Sequence, residues 1–319
     1  VCNAMQICLA WDTIYDPFKD RVISPVSRIW SCQSGGWVLF DWDTYFAAWM
    51  AAVENKELAY ANAIAITEEA TESGFIPNMA HPSGLKTRDR SQPPVGAITV
   101  RALCDMFDET VLAERLFDAL LTWNRWWRAN RDLDGYLCWG SNPYKPVIGN
   151  DYETAATGVN ERQGAAFESG LDNSPMYDDV PFDKEKHLLL LADVGLMSLY
   201  IADCRALANL AVRIGRDDVV PELETRAEQY TETLKSMWCE DTGLFLNKNL
   251  TTGALCKRLS PTHFYPLIAN VATPEQAQRM IDEHFFNRNE FWGEWILPSI
   301  ARNDPAYGDQ RYWRGRIWA

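Results

Sequence analysis

Asp43-Thr44-Tyr45-Phe46-Ala47-Ala48-Trp49-Met50-Ala51-Ala52-Val53-Glu54-Asn55 runs straight into Lys56-Glu57-Leu58-Ala59-Tyr60-Ala61-Asn62-Ala63-Ile64-Ala65-Ile66-Thr67-Glu68-Glu69-Ala70-Thr71. Strong helix formers fill both halves, and their apolar positions recur at spacings of three and four. The pattern predicts two consecutive helices, over 43–55 and 56–71. Gly74-Phe75-Ile76-Pro77 stops the second.

The pairing repeats along the chain. Residues 95–107 and 110–131 read as another helical pair, the latter carrying Trp123, Trp126 and Trp127 near its end. Asp132-Leu133-Asp134-Gly135-Tyr136 is turn chemistry, too poor in acids to be a metal loop. A long ordered loop region is expected over 138–183. Residues 184–214 and 219–239 then read as the longest helices, with shorter ones at 263–271 and 274–285. Thr273 is a good N-cap there, and Pro274 suits the first helical position. Alternating β-branched runs are nearly absent, so the predicted class is all-α, with about eight helices. Helical pairs joined alternately by short turns and by long loops rich in Gly, Pro, Trp and Asp suit the (α/α)6 barrel, a toroid of six helical hairpins. A solenoid of helix pairs is the rival, disfavoured because no motif repeats at a fixed period. About eight helices are fewer than a closed toroid requires.

Composition narrows the function. With 319 residues and 47% apolar content, the chain can bury a substantial core, in one large domain or two ordinary ones. The 44 acidic against 30 basic residues give a net charge of −14, which repels nucleic acid and anionic membranes. No apolar run approaches the ~20 residues of a membrane span; the longest, Leu188 to Tyr200, is broken by Asp193 and Gly195. Val1 is not a start residue, and the opening residues lack a secretory signal, so the natural N-terminus is expected to lie upstream. The eight cysteines have no CxxC spacing and are expected to be mostly reduced core residues. Against one sequon at Asn249-Leu250-Thr251, the balance favours a cytoplasmic protein. The four histidines show no zinc spacing, and nucleophile-elbow, phosphate-loop and dinucleotide motifs are absent.

Four clusters can carry chemistry. Phe167-Glu168-Ser169-Gly170-Leu171-Asp172-Asn173-Ser174-Pro175 sets two acids four residues apart among turn formers, in a chain with 14 tryptophans. An acid on such a loop, partly desolvated by aromatic rings, could protonate a glycosidic oxygen. Asp172 is the candidate, against the alternative of a turn aspartate bonded to backbone. Calcium is a competing reading of these acids with Asp178 and Asp179, but the spacing matches no calcium loop. Trp37 to Phe46 contains Trp42 and Asp43, suited to stack on a sugar ring and to accept hydroxyl hydrogen bonds, or else to serve as core residue and helix cap. Arg90-Ser91-Gln92-Pro93-Pro94 holds Gln92 on a rigid backbone that is either a sugar contact or a plain loop. Tyr312-Trp313-Arg314-Gly315-Arg316-Ile317-Trp318 is too aromatic for a free tail, so the natural chain is expected to continue.

Taken in order, Trp42-Asp43-Thr44-Tyr45-Phe46, Arg90 to Pro94, Glu168 to Pro175 and Tyr312 to Trp318 resemble glycoside hydrolase family 63 and the related trehalases of family 37. Within them, the chain looks most like the mannosylglycerate and glucosylglycerate hydrolases. The resemblance implies an (α/α)6 barrel that cleaves an α-linked glucose or mannose with inversion, without a cofactor, on a small carbohydrate substrate. It makes Asp172 the general acid. It assigns Trp42, Asp43, Gln92 and Gly170 to the sugar site and Tyr312, Trp313 and Trp318 to its closure. It puts the general base, a glutamate, beyond residue 319, which makes 1–319 a single (α/α)6 catalytic domain lacking its last helices, a barrel incomplete at the C-terminus, and the chain as given is expected to be inactive. A glycoside phosphorylase, with Arg314 or Arg316 holding phosphate, and a carbohydrate-binding pseudoenzyme are the alternatives. For an anionic leaving group such as glycerate, Lys86, Arg88 and Arg162 are the candidate cations. The oligomeric state is not encoded legibly.

Overall fold

The structure, a computed structural model, describes residues 2–27, 36–82, 84–143 and 161–318. These residues form ten α-helices, several short 3-10 segments and two-stranded antiparallel ribbons, with no larger sheet among them. The all-α class expected from the sequence is the class found.

The helices are α1 (Cys2–Asp12), α2 (Asp41–Ala51), α3 (Lys56–Thr67), α4 (Gly96–Phe107), α5 (Val111–Arg131), α6 (Glu161–Glu168), α7 (Val194–Arg213), α8 (Val220–Lys235), α9 (Tyr265–Ile268) and α10 (Pro274–Arg279). Local chemistry explains their ends. Asn55 caps α3 by accepting the Leu58 N–H at 2.9 Å. Thr273 and Gln276 form a reciprocal capping box at α10, with Pro274 in the first turn. After α5 the chain reverses at Asp134 and Gly135, both at positive φ (53° and 86°) as a tight two-residue hairpin demands.

Several boundaries differ from the sequence reading. Residues 184–193 are not helical: Leu188–Leu189 pairs with Phe182–Asp183, and Leu191–Ala192 pairs with Lys248–Asn249. A short unbroken apolar run fits a buried strand as well as a helix, and here one partner is a neighbouring hairpin strand and the other lies more than fifty residues on. The helix starts at Val194, where Asp193 Oδ1 accepts the Leu196 N–H at 2.9 Å. Helix α8 stops at Lys235, and Trp238–Cys239 instead pairs with Leu244–Phe245. The 138–183 region contains helix α6, so it is not all loop; residues 144–160 lie outside the described set. Residues 280–285 continue α10 as a π-helix, and 261–264 are 3-10. Helix α1 is not among the helices expected from the sequence.

The described residues fall into two compact units. One gathers those of Val1–Asn130, Asn142–Val159 and Asp203–Thr225; the other gathers those of Arg131–Ser141, Asn160–Ala202 and Arg226–Ala319. In the first, Tyr45, Ile66, Phe75, Phe117, Trp123 and Trp127 are buried. Tyr45 stacks on Trp123 with ring centroids 6.3 Å apart, and Phe75 meets Trp126 at 4.5 Å. Rings of this size each remove a large apolar area from water and dominate the core. In the second, Tyr200 and Tyr230 meet edge to face at 5.2 Å, and Leu189, Leu191, Leu244, Phe245 and Phe291 are buried. Of the seven cysteines described, Cys104, Cys138 and Cys204 are buried, whereas Cys2 and Cys8 are exposed on α1. The expectation that most are core residues is therefore met only in part. No helix among the described residues is long and apolar enough to cross a membrane.

Candidate active site

In the first unit the structure brings the Trp42–Asp43 and Gln92 motifs together. The Asp41 N–H donates to the Asn78 carbonyl at 3.2 Å, and the Asn78 N–H to the Arg90 carbonyl at 3.2 Å. This main-chain relay lays residues 90–92 beside the start of α2. Gln92, buried ahead of its two prolines, accepts the Trp42 backbone N–H on Oε1 at 3.4 Å. Trp42 is half-buried against Phe46, with centroids 5.9 Å apart. Asp43 is half-buried in the first turn of α2, where the helix dipole favours a negative charge. Behind them, the Trp123 indole N–H donates to Ser91 Oγ at 2.9 Å, and the Ser91 hydroxyl donates to the Ile76 carbonyl at 2.5 Å.

In the second unit the two acids of the Glu168–Pro175 motif have separate fates. Glu168 ends α6 with no exposed side-chain surface. It accepts from Arg131 Nε at 2.6 Å on one oxygen and Arg131 Nη2 at 2.8 Å on the other, and from the Gly140 N–H at 2.7 Å. Arg131 is equally buried. Glu168 is thus committed to a structural pair. Gly140 has to be glycine: an added Cβ would lie 2.6 Å from the His187 carbonyl oxygen and 2.9 Å from the Arg131 guanidinium carbon.

Beyond Glu168 the chain turns through Gly170 at φ 72°, a left-handed helix-end conformation natural to glycine. Ser169 ties the turn by donating to the Ala166 carbonyl at 2.6 Å and accepting the Leu171 N–H at 3.0 Å. Ser174 caps the 3-10 segment Pro175–Tyr177. Asp172 stands half-buried between these fixed points, its carbonyl accepting from Gln163 Nε2 at 3.1 Å. Its neighbours Ser169, Leu171 and Ser174 are buried.

The aromatic motif of residues 312–318 packs on the same turn. Asn173 Oδ1 accepts the Trp313 N–H at 2.8 Å, and Asn173 Nδ2 donates to the Arg311 carbonyl at 3.4 Å. Trp313 and Trp318 stack at 4.8 Å, and Tyr312 meets Trp318 edge to face at 5.0 Å. Gly315, at φ 105°, leaves no room for a Cβ, which would sit 2.3 Å from the Tyr307 carbonyl oxygen. Structure therefore gathers Asp172, Gly170, Tyr312, Trp313 and Trp318 in one unit, and Trp42, Asp43 and Gln92 in the other. Sequence reasoning passed over Asn173 and Arg131. The first sits inside a motif already singled out; the second is a charged residue closing a tryptophan-rich helix.

Other candidates are occupied. Arg314 Nη1 reaches both Asp178 oxygens at 2.9 and 3.0 Å, and its Nε reaches Asp309 at 2.7 Å; Arg316 donates to the Gln310 carbonyl at 2.8 Å. Asp178 also pairs with Arg258 at 2.9 Å, so it is a salt-bridge hub. Among the described residues no group of three or more His, Cys, Asp or Glu side chains is arranged to hold a metal ion. Lys86 donates to the Glu69 and Ala70 carbonyls at 2.9 and 3.4 Å, and Arg162 to those of Tyr177, Asp178 and Val180. Arg88 pairs at 3.5 Å with an exposed Glu72, a contact that exchanges with solvent at little cost.

Helical pairs joined by loops, without a closed sheet among the described residues, define an all-α protein of the (α/α)6 toroid class. Solved structures agree with that class. A family 63 mannosylglycerate hydrolase from Thermus thermophilus, crystallised in complex with glucose, superposes with a TM-score of 0.75 at 19% identity, covering 99% of this chain and 84% of that one. The neutral trehalase of Saccharomyces cerevisiae gives 0.68 at 18% identity, over 95% and 64% of the two chains. Residues 37–319 match the family described as mannosylglycerate hydrolase MGH1-like glycoside hydrolase domain, and the chain belongs to that family. Mannosylglycerate hydrolase MGH1 of Selaginella moellendorffii is 22% identical over 88% of this chain and 66% of its own length. The chain spans about two thirds of the length of the curated relatives it matches.

Proposed function

We propose that this chain carries the acid side of an inverting α-glycosidase that releases α-linked mannose or glucose from a small glycoside. Asp172 protonates the departing oxygen, Trp42, Asp43, Gln92 and Gly170 hold the terminal sugar, and Tyr312, Trp313 and Trp318 close over it. The observation that carries the reading is the split between the two acids. Asp172 keeps partial solvent access on a turn pinned at Ser169, Asn173 and Ser174, while Glu168 is locked to Arg131. A general acid has to reach substrate and be resupplied with protons, which a fully buried, ion-paired carboxylate cannot do.

Family membership supports the reaction class, and a relative crystallised in complex with Tris and D-glycerate supports a small anionic leaving group. Lys86, Arg88 and Arg162 are the candidate cations for that anion; Lys86 and Arg162 are engaged by backbone carbonyls and Arg88 by Glu72. Inversion requires a second carboxylate ~6.5–9.5 Å from the acid, on the other face of the sugar. The test is hydrolysis of α-mannosyl- and α-glucosylglycerate by the full-length protein. Asp172→Asn should remove turnover while leaving sugar binding in place, and near-normal turnover by that variant would sink the assignment.

A further inference from the structure

Asp41, the first residue of α2, is fully buried, and its surroundings do not suit a carboxylate. Oδ1 is buried with no hydrogen-bond partner. Oδ2 lies 3.5 Å from Ser91 Oγ. The Gln92 backbone N–H also bears on the carboxyl and favours its charged form, but by less than burial disfavours it. No ion pair to Asp41 is present among the described residues, and the charges that bear on it are the acids Asp43 and Asp203.

The Ser91 hydroxyl offers that carboxyl little. A serine hydroxyl has one hydrogen to donate. The Ile76 carbonyl, an obligate acceptor 2.5 Å away, claims it, while the Trp123 indole N–H, an obligate donor, fills a lone pair. The 3.5 Å contact with Asp41 therefore cannot use the hydroxyl hydrogen that the Ile76 carbonyl takes.

We propose that Asp41 is a positioning residue for the sugar site: as a neutral carboxylic acid it joins the first turn of α2 to Ser91, and so fixes Trp42 and Asp43 against Gln92. The role rests on the reading that these three residues hold the sugar. Burial is also the main influence pushing the Asp41 carboxyl well above the usual carboxylate range, with Asp43 and Asp203 adding to it against the Gln92 N–H and Ser91. Leaving Asp41 charged would place an unpaired buried anion within the network that aligns the site.

Two measurements test this. Infrared difference spectra at neutral pH, Asp41→Asn against wild type, should show loss of one protonated-carboxyl C=O band; a carboxylate band lost in its place overturns the neutral acid. Glucose and mannose titrations followed by tryptophan fluorescence supply the second readout. Asp41→Asn, which keeps a donor and an acceptor, should bind within about threefold of wild type. Asp41→Leu should bind about tenfold more weakly, the loss expected for one net hydrogen bond. Should the leucine variant not fold, Ser91→Ala breaks the same junction from the other side and should weaken binding similarly. Hexose binding unchanged in folded Asp41→Leu or Ser91→Ala, or lost in Asp41→Asn, overturns the positioning role alone. A wild-type protein that binds neither hexose overturns the sugar-site reading and the positioning role with it.

Discussion

Asn173 and Trp313 are joined by a 2.8 Å hydrogen bond from the Trp313 backbone N–H to Asn173 Oδ1. It ties the residue next to the proposed general acid to the aromatic motif near the end of the chain. Asn173→Ala leaves that N–H unpaired and releases the Arg311 carbonyl as well. We expect a loss of about 1–2 kcal/mol in urea-induced unfolding and weaker hexose binding. Asn173→Asp keeps the acceptor and should recover most of the stability.

Breaking the buried Arg131–Glu168 pair from one side strands a charge. Arg131→Met and Glu168→Leu should each destabilise by about 3–5 kcal/mol in chemical denaturation. The double variant should lose much less than the sum, because the pair's desolvation cost disappears with it. Additive losses in that cycle would show that the two residues do not act as a pair.

Two histidines should give stability opposite dependences on pH. His284 sets Nδ1 2.6 Å from Glu290 Oε2 and Nε2 2.5 Å from the Thr242 carbonyl, two acceptors that only an imidazolium can serve. Burial opposes the charge, but Glu290, the Thr242 carbonyl and Glu283 outweigh it and raise the pKa. Its contribution is therefore complete below the unfolded value of about 6.5 and is lost as pH rises through the raised native value. His263 is buried and neutral, its pKa lowered to about 4 chiefly by burial. The unfolded chain takes up a proton from about pH 6.5 downward, the native state only near 4. Stability should thus fall over that interval by roughly 3 kcal/mol. Denaturant unfolding between these limits, with His284→Gln and His263→Gln each removing its own slope, checks both signs.

Gly315→Ala combines a φ of 105° with a Cβ 2.3 Å from the Tyr307 carbonyl oxygen. A side chain there has to displace backbone. We expect at least about 1–3 kcal/mol of destabilisation, with the Trp313–Trp318 stack disturbed in near-ultraviolet circular dichroism. Gly308→Ala, where an added Cβ meets nothing within 4 Å, is the matched control.

The sequence by itself determined the helical class, the paired rhythm of α2 with α3 and α4 with α5, the capping of α10 and the turn at Asp134–Gly135. All of these follow from local periodicity and backbone preference acting within a few residues. The ordered motifs also carried the family resemblance that the match over 37–319 bears out. Tertiary structure decided what local rules leave degenerate. Leu188 to Ala192 became strands because Phe182–Asp183 and Lys248–Asn249 offered edges to pair with. Glu168 and Asp172, chemically alike and four residues apart, parted because Arg131 and Gly140 reach one of them. Burial and charge compensation are set by partners distant in sequence, so the difference between a structural carboxylate and an accessible one is written only in the packed chain.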